Sequence, residues 1–374
     1  MRWVAFALGL ALVLAAARSL LLTLVVPRAS PSKLSVFVGR QVVRRVFVFL
    51  ADRVEQWNAK DRLLAYSGPV SLLAILVVWL GLFLAGYGLM LWPLAHRSLW
   101  SAFRESGSSL LTLGIASSRR PGSVAVEFVA AATGLLVIAL QIAYLPTLYG
   151  AFNRRETLVT MLQARAGEPP WGPEILARHH LVRLLGNLPA LYRDWEQWAA
   201  DVAESHASYP VLIFFRSPRP LASWALSLLA VMDAGALQLA LNPDAAPTEA
   251  RLCVRMGFTC LREIAQVLGI PFDPDPLPTD PITLTEEEFA AGVDRLVEAG
   301  FAIERTPEEA WPHFRAWRVN YESIAYALAD VLIAAPGPWS GPRRRVGTIV
   351  PVRPVDRTPD DPEADRQSPG RWLG

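Results

Sequence analysis

The chemistry offered by this sequence of 374 residues is concentrated between two apolar stretches. Residues 99–111 form a semi-polar segment that is too short to cross a membrane, and five residues follow it that we name the candidate filter: Thr112, Leu113, Gly114, Ile115 and Ala116. A chain that enters a membrane halfway as a helix and returns as an extended strand is tolerated only where protein or a water-filled pathway shields its backbone. Four such strands around one axis would offer rings of carbonyl oxygens to a dehydrated cation, and four half-helix C-termini would direct partial negative charge at it.

Other candidate sites are weaker. His179 and His180 are adjacent, so on a helix their side chains point about 100° apart and cannot share a metal ion. Cys253 and Cys260 are seven residues apart on a helical run, which predicts two thiols on one face that pack in a core. The acidic stretch 273–280 is rich in proline and lacks the central glycine of a calcium loop. We find no catalytic constellation and predict neither an enzyme nor a resident cofactor or metal.

The composition favours a membrane protein. Hydrophobic residues make up 52% of the chain and charged residues only 19%, and the mean hydropathy is +0.29. An average soluble domain has about 25% charged residues. The net charge of +2 supplies no field to attract nucleic acid, so we predict no nucleic-acid partner.

Three apolar runs, residues 1–26, 69–95 and 124–150, are long enough to span a bilayer as helices. The first run has the alternative of a cleaved signal peptide, although its length exceeds the usual apolar region of such a peptide and favours a true span. A fourth run, 221–241, contains Asp233 and Gln238, which favours a buried helix of a soluble domain and leaves a membrane position as the alternative.

The distribution of basic residues predicts the orientation. Eight lie between the first and second runs: Arg28, Lys33, Arg40, Arg44, Arg45, Arg53, Lys60 and Arg62. Four lie between the second and third runs: Arg97, Arg104, Arg119 and Arg120. Because basic loops stay in the cytoplasm, we predict an N-terminus outside the cell, and a C-terminal part inside it, for a multi-pass protein of the inner (plasma) membrane.

The basic segment itself shows a helical pattern. Valine, phenylalanine and leucine recur at three- and four-residue spacing over residues 36–54, with four of the arginines between them. This pattern predicts an amphipathic helix on the anionic lipid of the inner leaflet, or alternatively a helix packed on the cytoplasmic domain.

The remainder reads as a helical domain. Thr285 with Glu288 and Thr306 with Glu309 predict capping boxes at two helix starts. The only strand-like run, 209–215, is too isolated to form a sheet, and the proline-rich residues 336–374 are predicted to be disordered. No sequence feature names a cytoplasmic ligand or protein partner.

The segment around the candidate filter resembles the pore module of potassium channels, which has an outer helix, a pore helix, a Thr-Val-Gly-Tyr-Gly filter and an inner helix. The resemblance covers roughly residues 68–155, and Thr112, Leu113 and Gly114 match the first three filter positions. It implies a homotetramer, because each chain supplies a quarter of the filter, with potassium or another monovalent cation in the pore. It further implies pore-helix hydroxyls at Ser108 and Ser109, a hinge at Gly134, a cavity-facing Gln141 and a kink near the gate at Pro146.

The sequence also departs from that family. Ile115 stands where the family has an aromatic residue, Ala116 replaces the second glycine and Ser117 replaces an aspartate. Because that glycine has a left-handed backbone, strain of roughly 1–2 kcal/mol is expected at Ala116. Ion selectivity is therefore left open.

Two acidic residues, Glu105 and Glu127, lie nearest the expected pore mouth. Glu127 is expected to brace the filter from behind or to pair with an arginine of the outer segment. The alternative is that its side chain extends to the membrane interface.

These observations predict an all-α membrane protein with three transmembrane helices and a re-entrant pore helix and loop. The expected divisions are residues 1–27 (first transmembrane helix), 28–67 (basic amphipathic segment), 68–152 (pore module), 153–335 (helical cytoplasmic domain) and 336–374 (disordered tail). The expected function is a cation channel subunit of uncertain selectivity. The alternative is a non-conducting, membrane-anchored helical scaffold or interaction protein.

Overall fold

The computed structural model describes residues 2–26, 32–95 and 98–343, and within these ranges it contains helices and no strand. The helices are α1 (Arg2–Leu24), α2 (Lys33–Val36), a π-helix (Phe37–Val43), α3 (Arg44–Ala51), α4 (Trp57–Ala65), α5 (Ser67–Ala95), α6 (Leu99–Leu110), α7 (Pro121–Ala166), α8 (Gly172–Leu181), α9 (Leu188–Ser208), α10 (Trp224–Leu241), α11 (Thr248–Leu268), α12 (Glu286–Glu298), α13 (Pro307–Arg318) and α14 (Glu322–Leu332). Two 3₁₀ helices cover Leu185–Asn187 and Pro210–Phe214. The predicted all-α class is confirmed for this part of the chain.

Four helical stretches of the described residues are long and apolar enough to cross a membrane. They begin at Arg2, Trp57, Pro121 and Trp224, the second being α4 and α5 taken together. The most apolar windows of the first three are 22–39% buried, whereas that of α10 is 94% buried inside the protein. The three predicted runs are therefore confirmed as helices of spanning length, and α10 has the burial expected of a core helix.

The chain divides into two compact units. The first comprises Met1–Glu55, Arg62–Gly150 and Ser208–Phe215, and the second comprises Gln56–Asp61, Ala151–Ala207 and Arg216–Gly374. The division falls inside the continuous helix α7. The predicted tail is described only as far as residue 343, so residues 344–374 lie outside the described part.

In the first unit, α1 packs closely against α5 through two glycines. A side chain at Gly86 would lie 2.7 Å from Val13 and 2.9 Å from the carbonyl oxygen of Gly9, so neither glycine has room for a methyl group. Further along the same pair, Trp79 donates a hydrogen bond from Nε1 to Oγ of Ser19 at 3.0 Å. Close backbone approach of this kind is the usual way in which small residues join apolar helices.

The basic segment of the first unit is helical from Lys33 to Ala51, so the helix predicted over residues 36–54 is present but ends three residues earlier than expected. Its valines Val38, Val43 and Val48 are buried, and Gly39 faces Ser71 of α5. The opposite stripe is exposed and apolar: Val42, Val46 and Phe49 are 46%, 51% and 58% exposed. The helix thus packs on α5 with one face and leaves a second apolar face open.

The second unit is a helical domain built around α10. Both predicted capping boxes are present, with Thr285 and Glu288 at the start of α12 and Thr306 and Glu309 at the start of α13. The thiols of Cys253 and Cys260 are fully buried in its core, as predicted, and burial raises the pKa of both.

The strand-like run 209–215 forms no sheet, as expected, and its residues Pro210–Phe214 form a 3₁₀ helix in the first unit instead of a strand. Proline at the first helical position, Pro210, presets the helical φ angle.

Candidate pore loop

Helix α6 runs antiparallel along the C-terminal half of α5. Phe103 lies opposite Gly88, where an added Cβ would be 3.1 Å from its ring, and Gly107 lies opposite Leu84. Ser106 donates from Oγ to the carbonyl oxygen of Leu84 at 2.9 Å. The C-terminal end of α6 therefore lies beside the middle of α5, away from the C-terminal end of α5.

The end of α6 meets α7 at Gly134, in the first third of that helix. A Cβ atom added to Gly134 would overlap the carbonyl oxygen of Leu110, the last residue of α6. The hinge predicted for Gly134 stays untested. What the structure shows is a contact that only glycine allows, because a backbone oxygen cannot move aside as a flexible side chain can.

After the candidate filter, the chain returns to the C-terminal end of α5. The Arg120 guanidinium donates to the carbonyl oxygen of Leu94, near the end of α5, at 3.1 Å. An added Cβ at Gly122 would lie 3.6 Å from the Leu94 side chain. The end of α5 and the start of α7 therefore lie side by side, and the chain between them forms α6 and the loop.

Ser108 holds the loop twice. Its carbonyl oxygen accepts a hydrogen bond from the Leu113 amide at 2.7 Å, and its Oγ accepts one from the Ala116 amide at 2.9 Å. Ser108 is only 2% exposed, so the residue is fixed in the body of the unit. It thus ties both ends of the segment from Leu113 to Ala116 to α6, a role beyond the hydroxyl predicted from the sequence.

Glu127 contacts the loop from the other side. Its Oε1 accepts a hydrogen bond from the Ser118 amide at 2.8 Å, which links the returning chain to the first turns of α7. The bonded residue lies two positions beyond the candidate filter, and the bracing role expected for Glu127 stays a prediction.

The carbonyl oxygens of the candidate filter are unused. The amides of Thr112, Leu113 and Ala116 donate inward to α6, yet none of the five carbonyl oxygens from Thr112 to Ala116 accepts a hydrogen bond from the described residues. The side chains of Leu113 and Ile115 are 57% and 68% exposed. The segment therefore presents backbone acceptors on an exposed surface, without donors from the described residues.

The backbone strain lies elsewhere than expected. Residues Thr112 and Gly114 have φ angles of +54° and +69°, whereas Ala116 is not among the described residues with positive φ. The expected strain at Ala116 is thus wrong, and the strained residue is Thr112, a β-branched residue in a region where such residues are outliers. Gly114, by contrast, adopts its left-handed conformation without steric cost.

The remaining predicted residues occupy different environments. Glu105 and Gln141 are 1% and 7% exposed, so both are covered by their own chain rather than open to a mouth or cavity. Ser109 contributes its carbonyl oxygen, which accepts from the Thr112 amide at 3.0 Å, and Pro146 lies within the continuous helix α7. Periodicity alone could not place Gln141, because α7 is apolar on every side and gives no sign of which face is covered.

Two contacts were missed at the level of sequence. One is the bond from Ser106 to α5, and the other joins the hydroxyls of Tyr87 and Thr133 across α5 and α7 at 2.7 Å. The available signal for Ser106 was its position four residues after the buried Ala102, on the same face of α6.

No group of metal-binding side chains occurs within the described residues. Comparison of the chain with protein-family models, with curated proteins and with solved structures gives no match.

Proposed function

We propose that this protein is one subunit of a tetrameric channel that passes monovalent cations through a pore lined by backbone carbonyls. The observation that carries the proposal is the set of unused carbonyl oxygens from Thr112 to Ala116, on a loop whose amides are tied back to Ser108 and Ser109. One loop supplies a quarter of a closed ring, so the channel is a homotetramer.

The path of the chain supports a re-entrant loop. Leu84 and Leu94 are ten residues apart on α5, which corresponds to about 15 Å along the helix at 1.5 Å per residue. Gly134, which meets the end of α6, lies thirteen residues into α7, or about 20 Å along it. Since the apolar core of a bilayer is about 30 Å thick, α6 would end near mid-membrane if α5 and α7 span it.

The electrostatics of this arrangement suit a cation. The C-terminus of α6 carries the partial negative charge of the helix dipole, and it ends beside the candidate filter. No basic residue occurs from Glu105 to Ser118. A dehydrated cation would therefore meet carbonyl oxygens and a helix C-terminus without a fixed positive charge beside them.

Selectivity is proposed to be weak. The exposed Ile115 provides no hydrogen-bonding aromatic ring to hold the filter at a fixed width, and Thr112 holds a strained backbone. A filter that is braced mainly through Ser108 and Glu127 should adapt its diameter and discriminate poorly between potassium and sodium.

The membrane placement follows the charges. We propose that α1, α5 and the first part of α7 span the inner membrane, with the N-terminus outside and the second unit in the cytoplasm. The exposed apolar stripe of the basic helix, Val42, Val46 and Phe49, together with the exposed Arg45 on the same side, would then lie on anionic lipid of the inner leaflet.

Thallium flux into liposomes that contain the purified protein tests the proposal. The parent should admit thallium, and Gly114→Ala should reduce the flux to background, because alanine resists the left-handed backbone at φ +69°. Gly81→Ala is the matched control: an added methyl there also meets nothing within 4 Å, but it lies in the regular helix α5.

Native mass spectrometry in mild detergent measures the number of subunits. A tetramer is expected. Background flux in the parent together with a monomer or dimer would instead support the alternative function, a membrane-anchored scaffold whose helical domain binds other proteins.

A further inference from the structure

The second unit has an open cleft on its surface that the pore does not explain. The cleft lies between α11 and the end of α13, has a volume of about 370 Å³, and is lined by Arg255, Phe258, Ala316, Trp317 and Asn320. This volume falls within the roughly 300–1,000 Å³ that is typical of small-molecule sites. Two aromatic rings and a guanidinium thus share one concave surface.

A second arginine, Arg262, contacts two of the residues that line the cleft. The Arg262 guanidinium lies over the ring of Phe258, 4.8 Å from its centroid, and donates from Nη2 to Oδ1 of Asn320 at 3.4 Å. The amide nitrogen of Asn320 is itself bound to the carbonyl oxygens of Ala316 and Trp317 at 3.1 and 3.2 Å. The orientation of Asn320, and through it that of Arg262, is therefore set before any ligand arrives.

The positive charge at this cleft is not neutralised within the described residues. Neither Arg255 nor Arg262 forms an ion pair there, and the Nε atom of Arg262 is buried without a hydrogen-bond partner in that part of the chain. Arginine, with its planar array of donors, binds phosphate and carboxylate groups well, and aromatic side chains bind planar rings by stacking.

We propose that this cleft binds a planar ring that carries an anionic group, the chemistry shared by nucleotides and aromatic carboxylates. The ring packs on Trp317 and Phe258, and the anionic group pairs with Arg255, with the charge of Arg262 adding to the attraction. The site lies wholly within the second unit, so it does not depend on the proposed channel.

Isothermal titration of the full-length protein in detergent tests this site with four probes: AMP, adenosine, inorganic phosphate and indole-3-carboxylate. At least one of the two anionic ring compounds should bind about tenfold more tightly than phosphate or adenosine, because it uses both halves of the site. AMP as the tighter probe identifies a phosphate ligand, and indole-3-carboxylate identifies a carboxylate ligand.

Variants then localise the binding. Arg255→Ala and Trp317→Ala should each weaken the tighter probe about tenfold, whereas Arg251→Ala, an exposed arginine one turn earlier on α11 that does not line the cleft, should change it less than about twofold. Arg255 is exposed, so its variant should fold even if the tryptophan variant does not. The proposal is overturned if neither ring compound binds more tightly than phosphate and adenosine, or if Arg255→Ala binds as the parent does.

Discussion

Removing the hydroxyl of Ser108 should loosen the candidate filter without disturbing the helices around it. In Ser108→Ala the Ala116 amide loses the acceptor that it now has at 2.9 Å, while the bond from Leu113 to the carbonyl oxygen of residue 108 remains. An unsatisfied amide costs about 1–3 kcal/mol, and since Ala116 is only half-buried, water can relieve part of that cost. We expect a local loss of about 1–2 kcal/mol.

Hydrogen–deuterium exchange of the loop measures this loss directly. A local destabilisation of 1–2 kcal/mol corresponds to roughly 5- to 30-fold faster exchange in peptides that cover residues 111–118. Ser109→Ala is the matched control, because the Ser109 hydroxyl makes no hydrogen bond within the described residues and only its backbone carbonyl is used. Equal exchange in parent and Ser108→Ala, or equal acceleration in both variants, would refute the assignment of Ser108 as the anchor.

Three further outcomes are expected. Gly134→Ala should lower the unfolding temperature in detergent, by an amount equivalent to about 1–3 kcal/mol, because its methyl would overlap the carbonyl oxygen of Leu110, and an unchanged temperature would contradict this contact. Arg45→Glu should weaken sedimentation with vesicles that contain phosphatidylserine but not with neutral vesicles, since Arg45 is exposed on the same side as the apolar stripe of the basic helix. Burial, and then the nearby Arg155, lower the pKa of His206 well below 6.5, so the contribution of His206 to stability should be constant above pH 6.5 and fall below it by about 1.4 kcal/mol per pH unit. Denaturation at pH 7.5 and 5.5 checks this, and His206→Asn should flatten the dependence.

The histidine prediction rests on geometry as well as on burial. Arg155 only donates hydrogen bonds, so the contact of 3.0 Å between its Nη1 and Nε2 of His206 requires an acceptor at Nε2. The remaining proton is then at Nδ1, which lies 3.1 Å from Oγ of Ser205. Protonation would place a second cation against the guanidinium in a site where His206 is 0% exposed.

Sequence reasoning predicted best those features that depend on neighbours along the chain. The three apolar runs were found from their length, and the capping box at Thr285 was found because both of its bonds lie within one turn. The role of Gly134 could not be found in this way, because it depends on where the end of α6 lies in space. Gln141 lies in a helix that is apolar all round, so no pattern marked it as covered.

The candidate filter shows the limit of comparison with a motif. A family pattern located the strained position at Ala116, but the chain satisfies the Ala116 amide through Ser108 and adopts positive φ at Thr112 and Gly114 instead. Which residue of a short loop takes the left-handed conformation depends on how its amides find acceptors in the neighbouring helix. That information is tertiary, and only the fold supplied it.

Single-channel recording in a planar bilayer shows directly whether the protein conducts cations, as proposed for the loop from Thr112 to Ala116. With the purified protein between solutions that differ tenfold in potassium chloride, we expect discrete openings that reverse on the cation side of zero, near the ideal value of about 59 mV. Replacing potassium by sodium on one side should shift that reversal potential only slightly, since the proposed filter is weakly selective. Silence of the parent protein, or currents that reverse at zero or on the chloride side, would show that the protein is not a cation channel.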